Sequence, residues 1–137
     1  DEEAILRFKN LYKKFGTKDP YKLCHYLGID IQYKDLGKTK GIFKKILSNK
    51  YIVINENLNE LDTLIVLSHE LGHSILHSSK TIRFMQDFHT LPKTSIWEKE
   101  ANQFAVEILK DFNFDIFHCN SVLTLKTLNE LVELANN

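Results

Sequence analysis

The chain has few cysteines, and the two that it has lie far apart. Cys24 and Cys119 are the only cysteines among 137 residues, and they do not form a C-x-x-C pair. Two distant thiols, in a sequence that shows no signal-peptide pattern, favour a reducing compartment, so we expect a cytoplasmic location. The spacing also argues against a cysteine-based metal or redox site, and both thiols are expected to be small core residues.

The chain also lacks a net charge and any long apolar run. Eighteen basic residues balance eighteen acidic ones, so the overall charge indicates neither a nucleic-acid partner nor a membrane partner. The densest basic patches, at 38–40 and 44–45, are expected to form a solvated hairpin surface. No apolar run reaches the length of a membrane-spanning helix. The length suits one domain with one modest core, and we expect residues 1–137 to form it.

Apolar periodicity and turn residues predict two helices, then three strands, then further helices. Asp19-Pro20 is typical of a helix N-cap followed by proline at the first helical position, and Gly16 and Gly28 are predicted helix ends. The predicted elements are a helix at 4–15, a short helix that ends at Gly28, strands at 29–33, 41–47 and 51–55 with a hairpin turn at 48–50, helices at 60–77 and 96–112, a loop at 78–94, a weaker extended segment at 112–119 and a last helix at 122–135.

The helix predicted at 60–77 is apolar on nearly its whole circumference, which indicates a buried helix with Asn59 as its N-cap. It contains His69-Glu70-Leu71-Gly72-His73, an H-E-x-x-H motif. Residues four apart share one helix face, so His69 and His73 can bind one metal ion. Glu70 lies about 100° round the helix, where it can reach a water at the metal without binding the metal itself. Burying these three polar side chains is costly unless they are paired, and a metal ion would satisfy all three.

A catalytic zinc site needs a third protein ligand, and His77, Glu98 and Glu100 are the candidates that follow the motif. Ligands at i, i+4 and i+8 on one straight helix diverge, so His77 is expected either to contact a ligand or to be a polar helix end. In the helix predicted at 96–112, Glu98 falls within the apolar face and Glu100 on the polar edge. A carboxylate in an apolar face favours a metal partner, which indicates Glu98, with Asn102 one turn later to orient it.

Two stretches of the chain together resemble the ImmA/IrrE-type metallopeptidases. The segment 68–77 reads S-H-E-L-G-H-S-I-L-H and is similar to the metal-binding helix of that family. The segment 97–105, followed by Ile108-Leu109, resembles its second motif, E-x-x-A-N-x-F-A. Upstream, 27–31, Gly41 and 51–55 stand where the family has a strand, a strand glycine and the edge strand before the metal helix. The resemblance covers roughly residues 4–112, while Lys110-Asp111 replaces a common proline and 113–137 match no known pattern.

The resemblance implies a fold, a metal site and an activity. The fold would be a small α+β domain, in which a bundle of helices packs on a three-stranded mixed sheet, with 113–137 as a C-terminal extension. One zinc ion per chain would be bound by His69, His73 and Glu98, with Glu70 as the catalytic acid and base. Family members are linked to phage and mobile-element repressors. The activity implied is therefore that of a cytosolic zinc endopeptidase whose substrate is a regulatory protein such as a transcriptional repressor.

Other roles stay open for the whole chain and for single residues. The chain could be a non-catalytic module that inactivates a repressor by binding it; a structural zinc protein is a weaker alternative, because structural sites usually fill four ligand positions. Glu98 could instead close a helix capping box, since Ser95 to Glu98 fits S-x-x-E. Asp62 is either an acceptor beneath the histidines or a solvated acid at the helix start. His89 is either an oxyanion stabiliser or an exposed loop residue, and 51–55 is a candidate edge for pairing with a peptide substrate.

Overall fold

The computed structural model describes residues 2–77 and 96–110, and it shows helices packed on a small sheet. In chain order the elements are α1 (Glu2–Phe15), α2 (Pro20–Leu27), β1 (Ile29–Lys34), β2 (Gly41–Ile46), β3 (Asn49–Asn55), α3 (Glu60–Leu76) and α4 (Ile96–Leu109). The predicted α+β class with a three-stranded mixed sheet is confirmed. The predicted loop at 78–94, the segment at 112–119 and the last helix at 122–135 lie outside the described residues.

Local side-chain chemistry sets the ends of two helices where the sequence predicts them. The Asp19 carboxylate accepts a hydrogen bond from the backbone N–H of Tyr21 at 2.9 Å, and Pro20 is the first residue of α2. Gly28 ends that helix with φ 71°, in the left-handed region that favours glycine. Asn59 Oδ1 accepts a hydrogen bond from the backbone N–H of Asp62 at 2.8 Å and thereby caps α3.

The sheet places β3 in its centre, in the order β1-β3-β2. The strand β1 runs parallel to β3, and β2 runs antiparallel to it. The prediction that 51–55 is an edge strand is therefore wrong, because its backbone pairs with strands on both sides. Among the described residues, β1 and β2 form the two edges of the sheet, and β2 is the strand that lies next to α3 at Gly41.

The hairpin turn lies one residue earlier than its composition predicts. Ile46 pairs with Asn49, so Leu47 and Ser48 form a two-residue turn instead of the expected turn at 48–50. Leu47 has φ 57°, a positive value that is unusual for leucine but typical of two-residue hairpin turns. Its side chain is 87% exposed. The register is set by burial, because Phe43 pairs with Ile52 and both are fully buried. A shift by one residue would turn these side chains to the other face of the sheet.

The helix α3 packs against α4 and against strands β2 and β3. Fourteen of its seventeen residues are buried, as its apolar circumference predicts. Gly72 brings the two helices close together, because a Cβ atom at this position would lie 3.0 Å from the backbone oxygen of Ala101 and 3.2 Å from Phe104 Cβ. The motif half of α3 therefore faces the first turns of α4 directly. No helix within the described ranges is long and apolar enough to cross a membrane.

Candidate metal centre

Three predicted ligands converge between α3 and α4. His69 Nε2 lies 3.2 Å from His73 Nε2. The Glu98 carboxylate completes a triangle, with Oε2 at 3.0 Å from His69 Nε2 and Oε1 at 3.0 Å from His73 Nε2. Within 2–77 and 96–110, these three residues are the group of histidine, cysteine and acidic side chains whose donor atoms are close enough to share a metal ion.

The donor set and its spacing fit a tetrahedral zinc ion. Bonds of roughly 2.0–2.1 Å at tetrahedral angles place the ligand atoms of zinc about 3.3 Å apart. The two Nε2 atoms lie 3.2 Å apart, and each lies 3.0 Å from a different oxygen of Glu98. A small outward movement of the side chains would accommodate the ion, with one Glu98 oxygen as its ligand. Two imidazoles and one carboxylate leave a fourth position for water, as catalytic zinc sites require.

The electrostatics of the triangle show how strongly the three side chains interact. Burial raises the pKa of Glu98, but hydrogen bonds with His69 and His73 and their charges outweigh it and lower that pKa to about 2. Burial lowers the pKa of both imidazoles. In His69 the contacts with Glu98, Glu70 and Asn102 reverse this and raise its pKa, whereas the pKa of His73 stays lowered. An ionised Glu98 carboxylate therefore faces the two imidazoles.

Glu70 is buried beside the triangle. Its carboxylate atom Oε2 has no hydrogen-bond partner in the described part of the chain. Burial raises the pKa of this carboxyl to about 8. The charge of Glu98 also raises that pKa, whereas the charge of His69 lowers it. The edge strand β2 lies against it, since a Cβ atom on Gly41 would come within 3.3 Å of Glu70 Cγ and 2.5 Å of Val66 Cγ1. The sequence predicts Gly41 on a strand but contains no signal for this contact.

Asn102 contacts a different residue from the one predicted. Its Oδ1 atom lies 2.7 Å from His69 Nδ1, whereas the sequence predicts that it orients Glu98. Asn102 and Glu98 lie on one face of α4, and that face packs against α3. The Asn102 amide therefore contacts the imidazole of His69 on α3. With His69 Nε2 in the triangle, Nδ1–H donates to Asn102, an outer contact typical of metal-binding histidines.

Glu100 of α4 is buried, although the amphipathic pattern of that helix places it on a polar edge. Glu100 is 8% exposed, because it faces His77 across the interface between α3 and α4. The side chain of Glu98 is 14% exposed, so the predicted ligand lies at the rim of the buried region. His77 is the C-cap residue of α3, and its fully buried side chain also contacts the proposed ligand His73, so both interpretations of His77 agree with the structure.

Four further predictions have different outcomes. Asp62 is buried, so the interpretation as a solvated acid is wrong, and its proposed role beneath the histidines stays a prediction. His89 lies outside the described residues, as does Ser95, so the oxyanion role and the capping box also stay predictions. Cys24 is buried among apolar residues, as expected, and burial together with the charge of Asp19 raises its pKa to about 12.

Comparison with known proteins identifies the family. A peptidase family model described as "IrrE N-terminal-like domain" matches residues 24–111, a range that includes both motif segments. The chain belongs to the ImmA/IrrE family of metallopeptidases. Membership in this family implies a bound metal ion, which agrees with the convergence of His69, His73 and Glu98.

Two relatives in this family come from Bacillus and one of its phages. The chain is 43% identical over 102 residues to "Uncharacterized immunity region protein 2" of Bacillus phage phi105, which covers 74% of this chain and 64% of that protein. It is 30% identical over 126 residues to "Metallopeptidase ImmA" of Bacillus subtilis (strain 168), which covers 90% of this chain and 65% of that protein. The chain thus spans slightly less than two thirds of either relative. No solved structure matches the chain.

Proposed function

We propose that this chain is a zinc-dependent endopeptidase that cleaves a regulatory protein, such as a phage or mobile-element repressor. The observation that carries the proposal is the arrangement of the site. His69 Nε2 and His73 Nε2 lie 3.2 Å apart, each is 3.0 Å from a different oxygen of the Glu98 carboxylate, and the buried carboxyl of Glu70 interacts with His69 and Glu98. The proposal assigns His69, His73 and Glu98 as the zinc ligands, with one ion per chain.

The proposed chemistry combines one metal ion with one buried carboxylate. A zinc ion held by the three ligands would lower the pKa of a bound water towards neutrality and polarise the scissile carbonyl. Glu70 takes a proton from the attacking water and delivers it to the leaving amine. Without metal, burial raises the pKa of Glu70 to about 8. The positive charge of a bound zinc ion would lower that pKa, so that the ionised carboxylate could accept the proton of the water.

The edge strand β2 is the proposed binding surface for an extended peptide. It forms one edge of the sheet among the described residues, and its first residue, Gly41, lies against Glu70. A peptide that pairs with this edge gains backbone hydrogen bonds along the strand. Pairing along β2, instead of the central strand β3, would carry the peptide backbone past the catalytic carboxylate.

The substrate class is proposed from the relatives. One of them is named as a phage immunity region protein and the other as the metallopeptidase ImmA. These names, together with the link of the family to phage and mobile-element repressors, support a regulatory protein as the proposed substrate. A cytoplasmic location, where such proteins act, stays a prediction.

The test is cleavage of purified phage repressors and of a quenched fluorescent peptide library. The wild-type chain with zinc is expected to release fragments, and a zinc chelator is expected to stop it. Glu70→Gln should retain zinc but lose about 100- to 10,000-fold in rate, because the proton carrier is gone. The exposed control, Glu56→Gln, should cleave at the wild-type rate.

Two results would contradict the proposal. Undiminished cleavage by Glu70→Gln would exclude the assigned role of that carboxylate. A zinc-loaded wild-type chain that binds a repressor without releasing fragments, and does so equally with chelator present, would instead support the non-catalytic binding module.

A further inference from the structure

We propose that His77 and Glu100 are positioning residues that hold the His73 ring in the orientation and tautomer needed to bind metal. The inference rests on the proposed zinc site. The three side chains Glu100, His77 and His73 contact one another in sequence, on the side of His73 opposite to Glu98.

The His73 ring has one nitrogen on each side of this arrangement. Its Nε2 atom faces Glu98 and His69 in the triangle, while its Nδ1 atom lies 3.0 Å from His77 Nδ1. A metal bound at Nε2 uses the lone pair of that nitrogen, so the ring proton must be on Nδ1. His73 Nδ1–H then donates to His77 Nδ1, which must accept.

Glu100 favours the complementary tautomer of His77. If His77 Nδ1 accepts, its proton lies on Nε2, and this atom faces Glu100 Oε2 at 3.8 Å. The Glu100 oxygen is an acceptor, so at that distance it attracts the N–H dipole and disfavours the tautomer with a lone pair at Nε2. In this arrangement His73 Nδ1–H donates to His77, and His77 Nε2–H points towards Glu100.

Packing fixes the plane of the His77 ring. The ring is fully buried and stacks on Trp97, with centroids 5.0 Å apart and an angle of 16° between the planes. Trp97, Glu98 and Glu100 lie within four consecutive residues near the start of α4. One helical turn therefore supplies a metal ligand, the surface on which His77 stacks and the carboxylate that orients it.

The consequence is a defined effect on metal affinity. Outer hydrogen bonds to metal-binding histidines orient the ring and raise its basicity, and their loss typically weakens metal binding about 10- to 100-fold. Asn102 has the corresponding contact with His69 at 2.7 Å. Each imidazole of the triangle thus has a partner at its outer nitrogen, an amide for His69 and a second histidine for His73.

Two substitutions of His77 separate hydrogen bonding from packing. His77→Phe keeps an aromatic ring to stack on Trp97 but removes the acceptor. His77→Asn loses the ring but places an amide oxygen close to the position of Nδ1. The readouts are the zinc dissociation constant, measured by competition with a chromogenic chelator, and the absorption spectrum of the cobalt-substituted protein, which reports ligand geometry.

We expect His77→Phe to raise the zinc dissociation constant about 10- to 100-fold and to alter the cobalt spectrum. His77→Asn should stay closer to the wild type in both readouts, and Glu100→Gln should weaken binding less than His77→Phe. The control is Glu107→Gln, which removes a buried carboxylate of α4 that pairs with Lys110 instead of with the site. Melting of each metal-free variant shows whether it is folded.

Three outcomes would overturn the inference, and they are distinguishable. If the wild type binds zinc and His77→Phe binds it equally well, the positioning role is wrong while the metal site stands. If a folded His77→Asn binds zinc more weakly than His77→Phe, His77 acts through packing alone. If the folded wild type binds no zinc, the proposed metal site fails and the inference fails with it.

Discussion

Replacing Glu70 by glutamine should stabilise the metal-free protein near neutral pH. The pKa of this carboxyl is raised from 4.5 to about 8, so it is protonated in the folded chain at pH 7 and ionised in the unfolded chain. The protonated carboxyl stabilises the folded chain; this contribution is complete below pH 4.5 and is lost as the pH rises towards 8. Each pH unit in that window removes about 1.4 kcal/mol, so roughly 3 kcal/mol is lost by pH 7, as an upper limit.

The assay is urea unfolding of the metal-free wild type and of Glu70→Gln at pH 5 and at pH 7.5. Glutamine does not ionise, so the free energy of unfolding of the variant should exceed that of the wild type by a margin that grows with pH. Glu56→Gln, on the exposed surface, should show no such growth. A difference that is the same at both pH values, or that shrinks as pH rises, would refute the reasoning.

Three further substitutions test the packing around the site. Gly41→Ala places a methyl group 2.5 Å from Val66 Cγ1, so urea denaturation should show a loss of about 1–3 kcal/mol and peptide cleavage should slow; unchanged stability would contradict the close contact. Gly72→Ala crowds the backbone of α4 at 3.0 Å and should raise the zinc dissociation constant, although alanine is the better helix former by about 1 kcal/mol; unaltered zinc affinity would show that the helices can separate freely. Asn102→Leu removes the acceptor 2.7 Å from His69 Nδ1 and should weaken zinc binding about 10- to 100-fold, a prediction that wild-type affinity would exclude.

The sequence predicts best those features that depend on neighbouring residues. Asp19 and Asn59 cap helices where their side-chain chemistry indicates, and the left-handed Gly28 ends α2. The spacing of His69 and His73 brings their Nε2 atoms within 3.2 Å of each other, because residues four apart on a helix share one face.

Features that depend on contacts between elements are predicted less well. A helical wheel describes one helix, so it places Glu100 on a polar edge without showing that α3 covers this edge. For the same reason it assigns Asn102 to Glu98 instead of to His69 on the opposite helix. The turn at Leu47 depends on the burial of paired strand residues, which turn composition does not contain.

The contact of His77 with a proposed ligand had a signal in the sequence. His77 follows His73 by four residues, the spacing that also joins the two proposed ligands, so contact between their rings was to be expected. No comparable signal indicated the stack of His77 on Trp97 or the contact between Gly41 and Glu70, because each joins elements that are distant in sequence.

The most direct test of the metal site is the elemental metal content of the purified protein, measured beside His69→Ala. We expect about one zinc ion per chain in the wild type, since three ligands and one open position form one site. The His69→Ala variant should lose that zinc while staying folded. If the folded wild type contains no metal after zinc is added and the excess is dialysed away, or if His69→Ala retains a full equivalent, the assignment of the metal site is contradicted.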